Sequence, residues 1–327
     1  MIEEIVPNMY RTEIPLRGSP LKWLNSYIVK GGDRFLIIDT GFNREECLNA
    51  MNDSLKKLGV DLNKTDIFIT HLHVDHIGLA GTLAQSSTKV YFNEEEARQI
   101  SSVHDNWNQY WQKIVDVYVA NGFTADGAQM SMKTHPAHRD GLRQKIDFTI
   151  VKEGDMIDIG DFHFRCVATP GHSPGHMSLY EANNKILVAG DHILFDITPN
   201  IAYWMQMEDA LGQYLASLEK VNALDVKLVL PGHRRLVHDL QRRVKELQEH
   251  HSARLNEVLT AFGDGEKNVL QIVPHIKWDI TAKTWEEFPP MQKWFAFGEA
   301  LAHVRHLEVT GKVRRVSQNN KIKYRLV

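Results

Sequence analysis

The chain has 327 residues and a formal net charge of −3, with 43% hydrophobic and 24% charged residues. This length suits one large domain with an appendage, and the composition is that of an ordinary globular protein without a general affinity for nucleic acid or acidic membranes. Its two cysteines, Cys47 and Cys166, exclude a disulfide framework and zinc–thiolate fingers.

A β-rich segment opens the chain. Residues 25–29 and 34–38 are predicted to be the two strands of a hairpin, with the turn at Gly31-Gly32-Asp33. The second strand ends at Asp39, and residues 44–58 have the pattern of an amphipathic helix. We expect Asp39 to hydrogen-bond to a metal ligand in the next loop rather than to bind an ion itself.

The most specific motif is residues 70–78, Thr-His-Leu-His-Val-Asp-His-Ile-Gly, between a short apolar strand and a helix that begins with small residues. Alternate side chains of an extended segment point the same way, so His71 and His73 can share one metal ion. Asp75 and His76 fall where the chain turns into the helix, so they point elsewhere and can serve a second ion. The spacing predicts a metal site.

Residues 94–142 interrupt the alternation of strands and helices. Residues 94–119 are predicted to be helical and are rich in aromatic side chains, among them Trp107 and Trp111. This insertion forms either a lid or pocket wall, or an ordinary packed helical hairpin. If it is a pocket wall, Trp107 and Trp111 are expected to contact the substrate.

Four apolar strands each lead into a residue that can bind a metal. These residues are His71, His172 after Pro170-Gly171, Asp191 after Gly190, and His233 after Pro231-Gly232. Because loops at one rim of a sheet scaffold commonly build sites, we expect the four residues to meet. His176 is expected to pack near the site, whereas His192 and Tyr203 are expected to contact the substrate.

Together these motifs resemble those of the metallo-β-lactamase superfamily over roughly residues 10–238. The matching residues are Asp39, His71-Leu72-His73-Val74-Asp75-His76, His172, Asp191 and His233. The resemblance implies an αββα sandwich, in which two β-sheets face each other, helices lie outside and the metals lie at one edge. It further implies a first metal held by His71, His73 and His172, a second held by Asp75, His76 and His233, and Asp191 as the bridge between them.

Two positions in these motifs distinguish the chain from other branches of the superfamily. Zinc β-lactamases are similar but have a cysteine where Asp191 stands, and the oxygen-reducing diiron branch has a glutamate at the position of His73. The complete set of five histidines and two aspartates resembles the dinuclear hydrolases, which include glyoxalase II, thioesterase-like and lactonase members and ribonuclease Z.

The ligand types agree with this reading. Imidazole nitrogen and carboxylate oxygen suit Zn²⁺, of which we expect two ions, and the same ligands can hold iron or manganese. A water between two cations loses a proton near neutral pH and becomes the nucleophile, so no side-chain nucleophile is needed. Asp191 as the bridge and Asp75 as a residue that orients the hydroxide are the expected catalytic residues.

We divide the chain into a catalytic domain, residues 1–238, and a C-terminal domain, residues 239–327. The latter is predicted to contain three helices and a β-hairpin, the order of a winged helix, and resembles the tail of the endoribonuclease-like branch. Residues 303–327 carry seven basic side chains and one acidic side chain, Glu308. The basic hairpin either contacts RNA phosphates or packs the small domain, with lysines protecting an edge strand.

The leading hypothesis is a dinuclear metal hydrolase that acts on a small ester- or thioester-like substrate held under residues 94–142. The alternatives are a metal-dependent endoribonuclease that uses the basic hairpin, a mononuclear iron sulfur dioxygenase, and a non-catalytic regulator, for which an open dinuclear centre has no chemical need. A homodimer is compatible with the sequence. Residues 1–16 lack an apolar signal core, and no run of about 18 apolar residues occurs, so we expect a cytoplasmic protein without membrane contact.

Overall fold

A computed structural model describes residues 1–142, 144–282 and 284–327 of the chain. In these residues two β-sheets pack face to face, and helices cover the outer face of each sheet. The predicted αββα sandwich is therefore confirmed.

The first sheet contains, within the described ranges, seven strands that lie side by side in chain order. They are β1 (Ile2–Val6), β2 (Met9–Leu16), β3 (Lys22–Lys30), β4 (Phe35–Ile38), β5 (Thr65–Phe68), β6 (Val90–Asn93) and β7 (Phe148–Val151). The pairs from β1 to β4 are antiparallel. The pairs from β4 to β7 are parallel, because helical segments connect these strands and return the chain to the same end of the sheet.

The second sheet has five strands among the described residues, in the order β12-β11-β10-β9-β8. They are β8 (Met156–Ile159), β9 (Phe162–Ala168), β10 (Met177–Glu181), β11 (Ile186–Gly190) and β12 (Leu228–Pro231). The β11–β12 pair is parallel, and the other three pairs are antiparallel. A separate hairpin near the end of the chain consists of β13 (Val313–Gln318) and β14 (Lys321–Leu326).

The helices follow in chain order. They are α1 (Glu45–Leu58), α2 (Val74–Ile77), α3 (Ala80–Leu83), α4 (Glu94–Asp105), α5 (Trp107–Ala120), α6 (Ala125–Thr134), α7 (Pro136–Asp140), α8 (Ala210–Asn222), α9 (Leu240–Phe262), α10 (Val269–Ile272) and α11 (Pro290–Val309). The predicted helix over residues 94–119 is thus two helices that meet at Asn106. None of the helices in the described part of the chain has both the length and the apolarity that a membrane span requires.

Apolar side chains from both sheets fill the space between them. Leu36 and Phe68 of the first sheet face Phe164, Leu179 and Val188 of the second sheet, and all five are almost completely buried. Burial of each such side chain contributes roughly 1.5–3 kcal/mol relative to exposure. Because both sheets are anchored through this layer, the loops at their shared edge are held at fixed positions.

A further hydrophobic core joins the insertion to the C-terminal helices. Trp111 and Tyr118 of α5 pack with Phe262 of α9 and with Trp294 and Phe297 of α11. The rings of Tyr118 and Trp294 are 4.2 Å apart. Residues 94–142 are therefore packed against the C-terminal segment and do not form an isolated flap.

The C-terminal segment has the predicted order of helices followed by a hairpin. The Tyr324 hydroxyl of β14 donates a hydrogen bond to Asn121 Oδ1 at the end of α5, over 3.0 Å. Helix α9 packs against the second sheet through Leu240 and Val244, and its far end lies in the helical core. The winged-helix assignment and the domain boundary at residue 238 stay predictions.

A buried histidine pair lies between α9 and α11. His303 Nδ1 donates to the carbonyl oxygen of Glu299 over 2.8 Å, so His303 Nε2 accepts a hydrogen bond from His251 Nδ1 over 3.1 Å. Burial, together with the mutual repulsion of the protonated rings and the charge of Arg254, lowers the pKa of His251 to about 2. Burial and Arg254 lower the pKa of His303 to about 3, against the opposing effect of the Glu299 carbonyl. Both rings are neutral in the folded protein near pH 7.

This pair predicts a specific loss of stability in acid. A histidine whose folded pKa lies below its unfolded value of about 6.5 stabilises the fold above pH 6.5, and that contribution is lost as the pH falls below it. Between pH 7.5 and pH 5.5 the loss is about 1.4 kcal/mol per histidine. We expect His251→Gln to reduce the acid-induced loss by about this amount, measured by urea unfolding at both pH values.

The unaltered protein and His251→Gln should be compared in metal-free form. The contributions of the other buried histidines to the free energy of unfolding are then the same in both and cancel. Equal losses of unfolding free energy in the two proteins would contradict the prediction.

Candidate metal centre

Seven histidine and aspartate side chains form two groups at one edge of the sandwich. Among the described residues, the ligand-capable atoms of each group lie within 4.8 Å of one another. The first group is His71, His73, His172 and Asp191, and the second is Asp75, His76 and His233. These are the residues of the predicted ligand sets, and their individual roles as ligands stay predictions.

The ends of four strands bring these groups together. His71 and His73 follow β5, and Asp75 and His76 lie in the one-turn helix α2 that continues the same loop. The other three residues follow β9, β11 and β12, whose carboxyl ends reach the same edge. β11 and β12 are parallel neighbours, and β9, which lies beyond the antiparallel β10, runs in the same direction as β11, so these three strands end at one edge of their sheet. The end of β5 in the facing sheet lies beside them, and sequence-distant residues therefore meet.

Close approach of the loops requires glycine at position 232. A Cβ atom added there would lie 2.5 Å from Asp191 Oδ1 and 2.7 Å from His76 Cε1. Any side chain would therefore push apart the two groups. The Pro231-Gly232-His233 sequence keeps the loop after β12 close to Asp191 and His76.

Hydrogen bonds from Nδ1 orient three of the imidazole rings. The acceptors are Asp39 Oδ2 for His76 (2.7 Å), the Trp23 carbonyl for His233 (2.8 Å) and the Asn200 carbonyl for His172 (2.9 Å). In its neutral form each ring then carries its proton on Nδ1, and the lone pair of its Nε2 faces the centre. His71 makes a similar bond from Nδ1 to Thr70 Oγ1 over 3.0 Å.

Asp39 supports this arrangement from behind. Its carboxylate accepts hydrogen bonds from the Thr70 amide and hydroxyl, each over 2.8 Å, in addition to the bond from His76. Its backbone φ of 59° is in the left-handed region, which aspartate tolerates better than most residues. As expected from the sequence, Asp39 hydrogen-bonds to a proposed ligand.

Asp191, a member of the first group, also faces the second group. Its Oδ1 is 3.5 Å from Nε2 of both His76 and His233, and its Oδ2 is 3.7 Å from His172 Nε2. His176 fixes its backbone, because His176 Nε2 accepts a hydrogen bond from the Asp191 amide over 3.2 Å. A carboxylate with its two oxygens directed to different ligand groups can bridge two cations.

The charges of the second group are strongly coupled. Burial raises the pKa of Asp75, but His233 and His76 lower it to about 2. Burial lowers the pKa of His233, but Asp191 and Asp75 raise it to about 10. Without bound ions, protons on the histidines would balance the carboxylates, and a divalent cation would displace them.

The donor set fits divalent cations. In the part of the chain that the structure describes, Nε2 of His71, His76 and His233 and Oδ1 of Asp191 are buried and have no hydrogen-bond partner. Buried lone pairs and carboxylates without donors are costly unless a positive charge compensates them. Imidazole nitrogens and carboxylate oxygens in this combination suit Zn²⁺ and other first-row divalent ions.

Glu96 of α4 is a further residue of the site that the sequence analysis did not identify. Its carboxylate accepts hydrogen bonds from the Leu72 amide (2.7 Å), the Ser173 hydroxyl (2.7 Å) and the Gly175 amide (2.6 Å). Burial raises its pKa to about 7, although these three bonds lower it. Glu96 thus ties the loop that carries His71 and His73 to the loop that carries His172.

Trp204 is a second residue of the site that the sequence motifs did not indicate. Its indole nitrogen donates to the His172 carbonyl over 3.0 Å, and its ring lies 6.1 Å from the His73 ring at an interplanar angle of 25°. The only signal in the sequence is an aromatic pair, Tyr203-Trp204, in a loop between two predicted elements.

The four predicted substrate contacts occupy different surroundings. Trp111 is buried against His135 and Trp294, and Trp107 is half-buried beside Trp111, with ring centroids 5.5 Å apart. Tyr203 lines a cavity of about 270 Å³ together with residues of α5, α11 and the C-terminal hairpin. His192 is fully buried behind Asp191 and packs on Tyr214.

The chain is similar in sequence to known proteins. The Lactamase-like protein adaB of Aspergillus niger is 25% identical over 269 residues, which are 80% of this chain and 66% of that protein, so the chain spans just under two thirds of its length. The Atrochrysone carboxyl ACP thioesterase of Aspergillus fumigatus is 26% identical over 267 residues, 80% of this chain and 67% of that protein.

A crystal structure of a metallo-beta-lactamase family protein from Thermus thermophilus is 25% identical and superposes with a TM-score of 0.83, covering 99% of this chain and 100% of that one. The family model described as Metallo-beta-lactamase-like, C-terminal domain, matches residues 285–327. The model described as Metallo-beta-lactamase superfamily matches residues 24–233, which is more than half of the chain. The chain belongs to the metallo-β-lactamase superfamily.

Proposed function

We propose that the chain is a hydrolase that uses two divalent ions, Zn²⁺ in the first instance, to cleave small ester or thioester substrates. The observation that carries the proposal is the position of Asp191, whose two oxygens face different ligand groups. When bound, the ions would supply Lewis acidity and an activated water, so that the protein needs no nucleophilic side chain.

The protein's own groups would orient this chemistry. Asp75 Oδ2 lies 3.3 Å from His233 Nε2, so this carboxylate can accept a hydrogen bond from a water molecule held at the second group. Asp39 and the Trp23 carbonyl keep the rings of His76 and His233 in one orientation. Such fixed groups lower the reorganisation that the reaction requires.

Support for an acyl substrate comes from the aromatic side chains and from one relative. Trp204 lies against His73 at the first group and offers an apolar surface beside the proposed reaction centre. The related Aspergillus fumigatus protein is named a thioesterase. We keep Trp107 and Tyr203 as proposed substrate contacts. Trp111 and His192 are proposed to act on the substrate only through their neighbours, because both side chains are buried.

RNA remains a second proposed substrate because of the hairpin β13–β14. Arg314 and Lys323 are exposed on it. Arg315, by contrast, pairs with Glu308 over 3.3 Å and lies over the Tyr324 ring. Part of the positive charge is thus used within the protein, which favours the packing role of the hairpin over phosphate binding.

Removal of the carboxylate between the two groups should abolish hydrolysis. We expect Asp191→Ala to lower kcat/KM for a generic thioester by more than the roughly 10–100-fold that loss of a ligand's hydrogen-bond partner costs. Elemental analysis should find two ions per chain in the unaltered protein and fewer in the variant. Asp158→Ala, which removes an exposed carboxylate of β8, is the matched control and should keep both activity and metal. Full activity of Asp191→Ala, or of chelated protein, would contradict the proposal.

The substrate class can be tested with a thioester, a carboxylic ester and a phosphodiester in parallel. We expect turnover of the first two, with Arg314→Gln/Lys323→Gln changing kcat/KM by less than about twofold, because exposed charges distant from a small substrate contribute little. If RNA is the substrate, the phosphodiester should be cleaved instead. The same double variant should then weaken RNA binding and reduce the salt slope of log K by about two, one unit for each lost phosphate contact.

A further inference from the structure

One segment of the chain, residues 199–204, holds His172 at two points. The Asn200 carbonyl accepts a hydrogen bond from His172 Nδ1 over 2.9 Å, which sets the orientation of the ring. The Trp204 indole donates to the His172 carbonyl over 3.0 Å, which sets the backbone. The direction of His172 Nε2 therefore depends on where this segment lies.

Helix α11 of the C-terminal domain in turn holds this segment. Asn200 Nδ2 donates to Glu299 Oε2 over 2.7 Å, and the Tyr203 amide donates to the Gly298 carbonyl over 3.0 Å. The helix also contacts the segment by van der Waals packing, because a Cβ atom added at Gly298 would lie 3.5 Å from Ala202 Cβ. The segment is attached to α11 by a side chain and by its own backbone.

Glu299 is itself fixed by a buried cation. Arg254 of α9 donates from Nη1 to Glu299 Oε1 over 2.5 Å, and from Nη2 to the Lys277 carbonyl over 3.1 Å. The guanidinium also lies 4.3 Å from the ring centroid of Trp278. Both charged side chains are less than 10% exposed. A buried pair of this kind adds little net stability, but it restricts the carboxylate to one geometry.

We propose that Glu299 and Arg254 are positioning residues of the metal centre, which act through Asn200 on His172 and so set the affinity of the first group for its divalent cation. The inference rests on the metal binding in the proposed function and not on the proposed substrate.

The two groups differ in how they are supported, and this difference makes the inference testable. His76 and His233 are oriented by Asp39 and by the Trp23 carbonyl, which both belong to the first sheet and its loops. Among the described contacts, the link to α11 through residues 199–204 reaches the first group and not the second. A purely structural role of the ion pair would affect both groups alike, whereas positioning through Asn200 affects the first group alone.

The experiment uses the full-length, metal-free protein and Co²⁺, whose binding is followed by visible absorption. Each group is isolated by a background double substitution: His76→Ala/His233→Ala leaves the first group, and His71→Ala/His73→Ala leaves the second. Asn200→Ala is then added to each background, because it removes the bond to Glu299 but keeps the Arg254–Glu299 pair and the backbone carbonyl that His172 uses. We expect the Co²⁺ dissociation constant of the first group to rise about 10–100-fold, and that of the second to change less than twofold.

Two further variants complete the test. Glu308→Gln is the matched control, because Glu308 lies on the same helix in an ion pair with Arg305 and has no hydrogen bond or ion pair with residues 199–204 among the described contacts. It should leave both dissociation constants unchanged. Glu299→Gln added to Asn200→Ala should weaken the first group no further, because both substitutions interrupt the same path.

Three results would overturn the inference. Asn200→Ala could lower the melting temperature while the first group keeps its Co²⁺ affinity, or it could weaken both groups equally. Failure of the unaltered protein to bind Co²⁺ would overturn the proposed function and this inference with it. Turnover is not measured, so an error in the substrate class would leave the outcome unchanged.

Discussion

The buried carboxylate of Asp191, surrounded by imidazole groups, is the constraint on which the rest of the site depends. A negative charge in this environment must be compensated, and the nearest groups present lone pairs unless they are protonated. The surrounding loops hold Asp191 in place. His176 accepts a hydrogen bond from the Asp191 amide, and Gly232 leaves space for Asp191 Oδ1. The pair of divalent cations proposed above would provide this compensation.

The sandwich and the ligand groups could be predicted because their signals are local. Each proposed ligand follows an apolar strand within a few residues, and strands that run in the same direction within a sheet, as β9, β11 and β12 do, end at the same edge. The histidines at positions 71 and 73 alternate in an extended segment, and the turn into α2 separates them from Asp75 and His76. Regular backbone geometry thus converts spacing in the sequence into proximity in space.

The residues that hold the proposed ligands in place could not be predicted in the same way. Glu96 is one of three consecutive glutamates, and only the packing of α4 against the ligand loops decides which of them is buried. Asn200 and Glu299 are separated by 99 positions and belong to no motif. The packing of Trp111 could not be predicted either, because its partner Trp294 belongs to α11, far away in the sequence.

The contact between α11 and residues 199–204 indicates a role for the C-terminal segment within the protein. Its basic hairpin is a feature of nucleic-acid-binding proteins, but the buried polar contacts of α11 are made with the loop that carries Asn200 and Trp204. Polar groups buried at such a junction contribute less to stability than apolar groups of similar volume would, so stability alone does not account for Arg254 and Glu299. Their effect is to give the junction one geometry, and the proposed metal ligand His172 is two hydrogen bonds away from Glu299. On this argument the C-terminal segment is a part of the proposed metal centre.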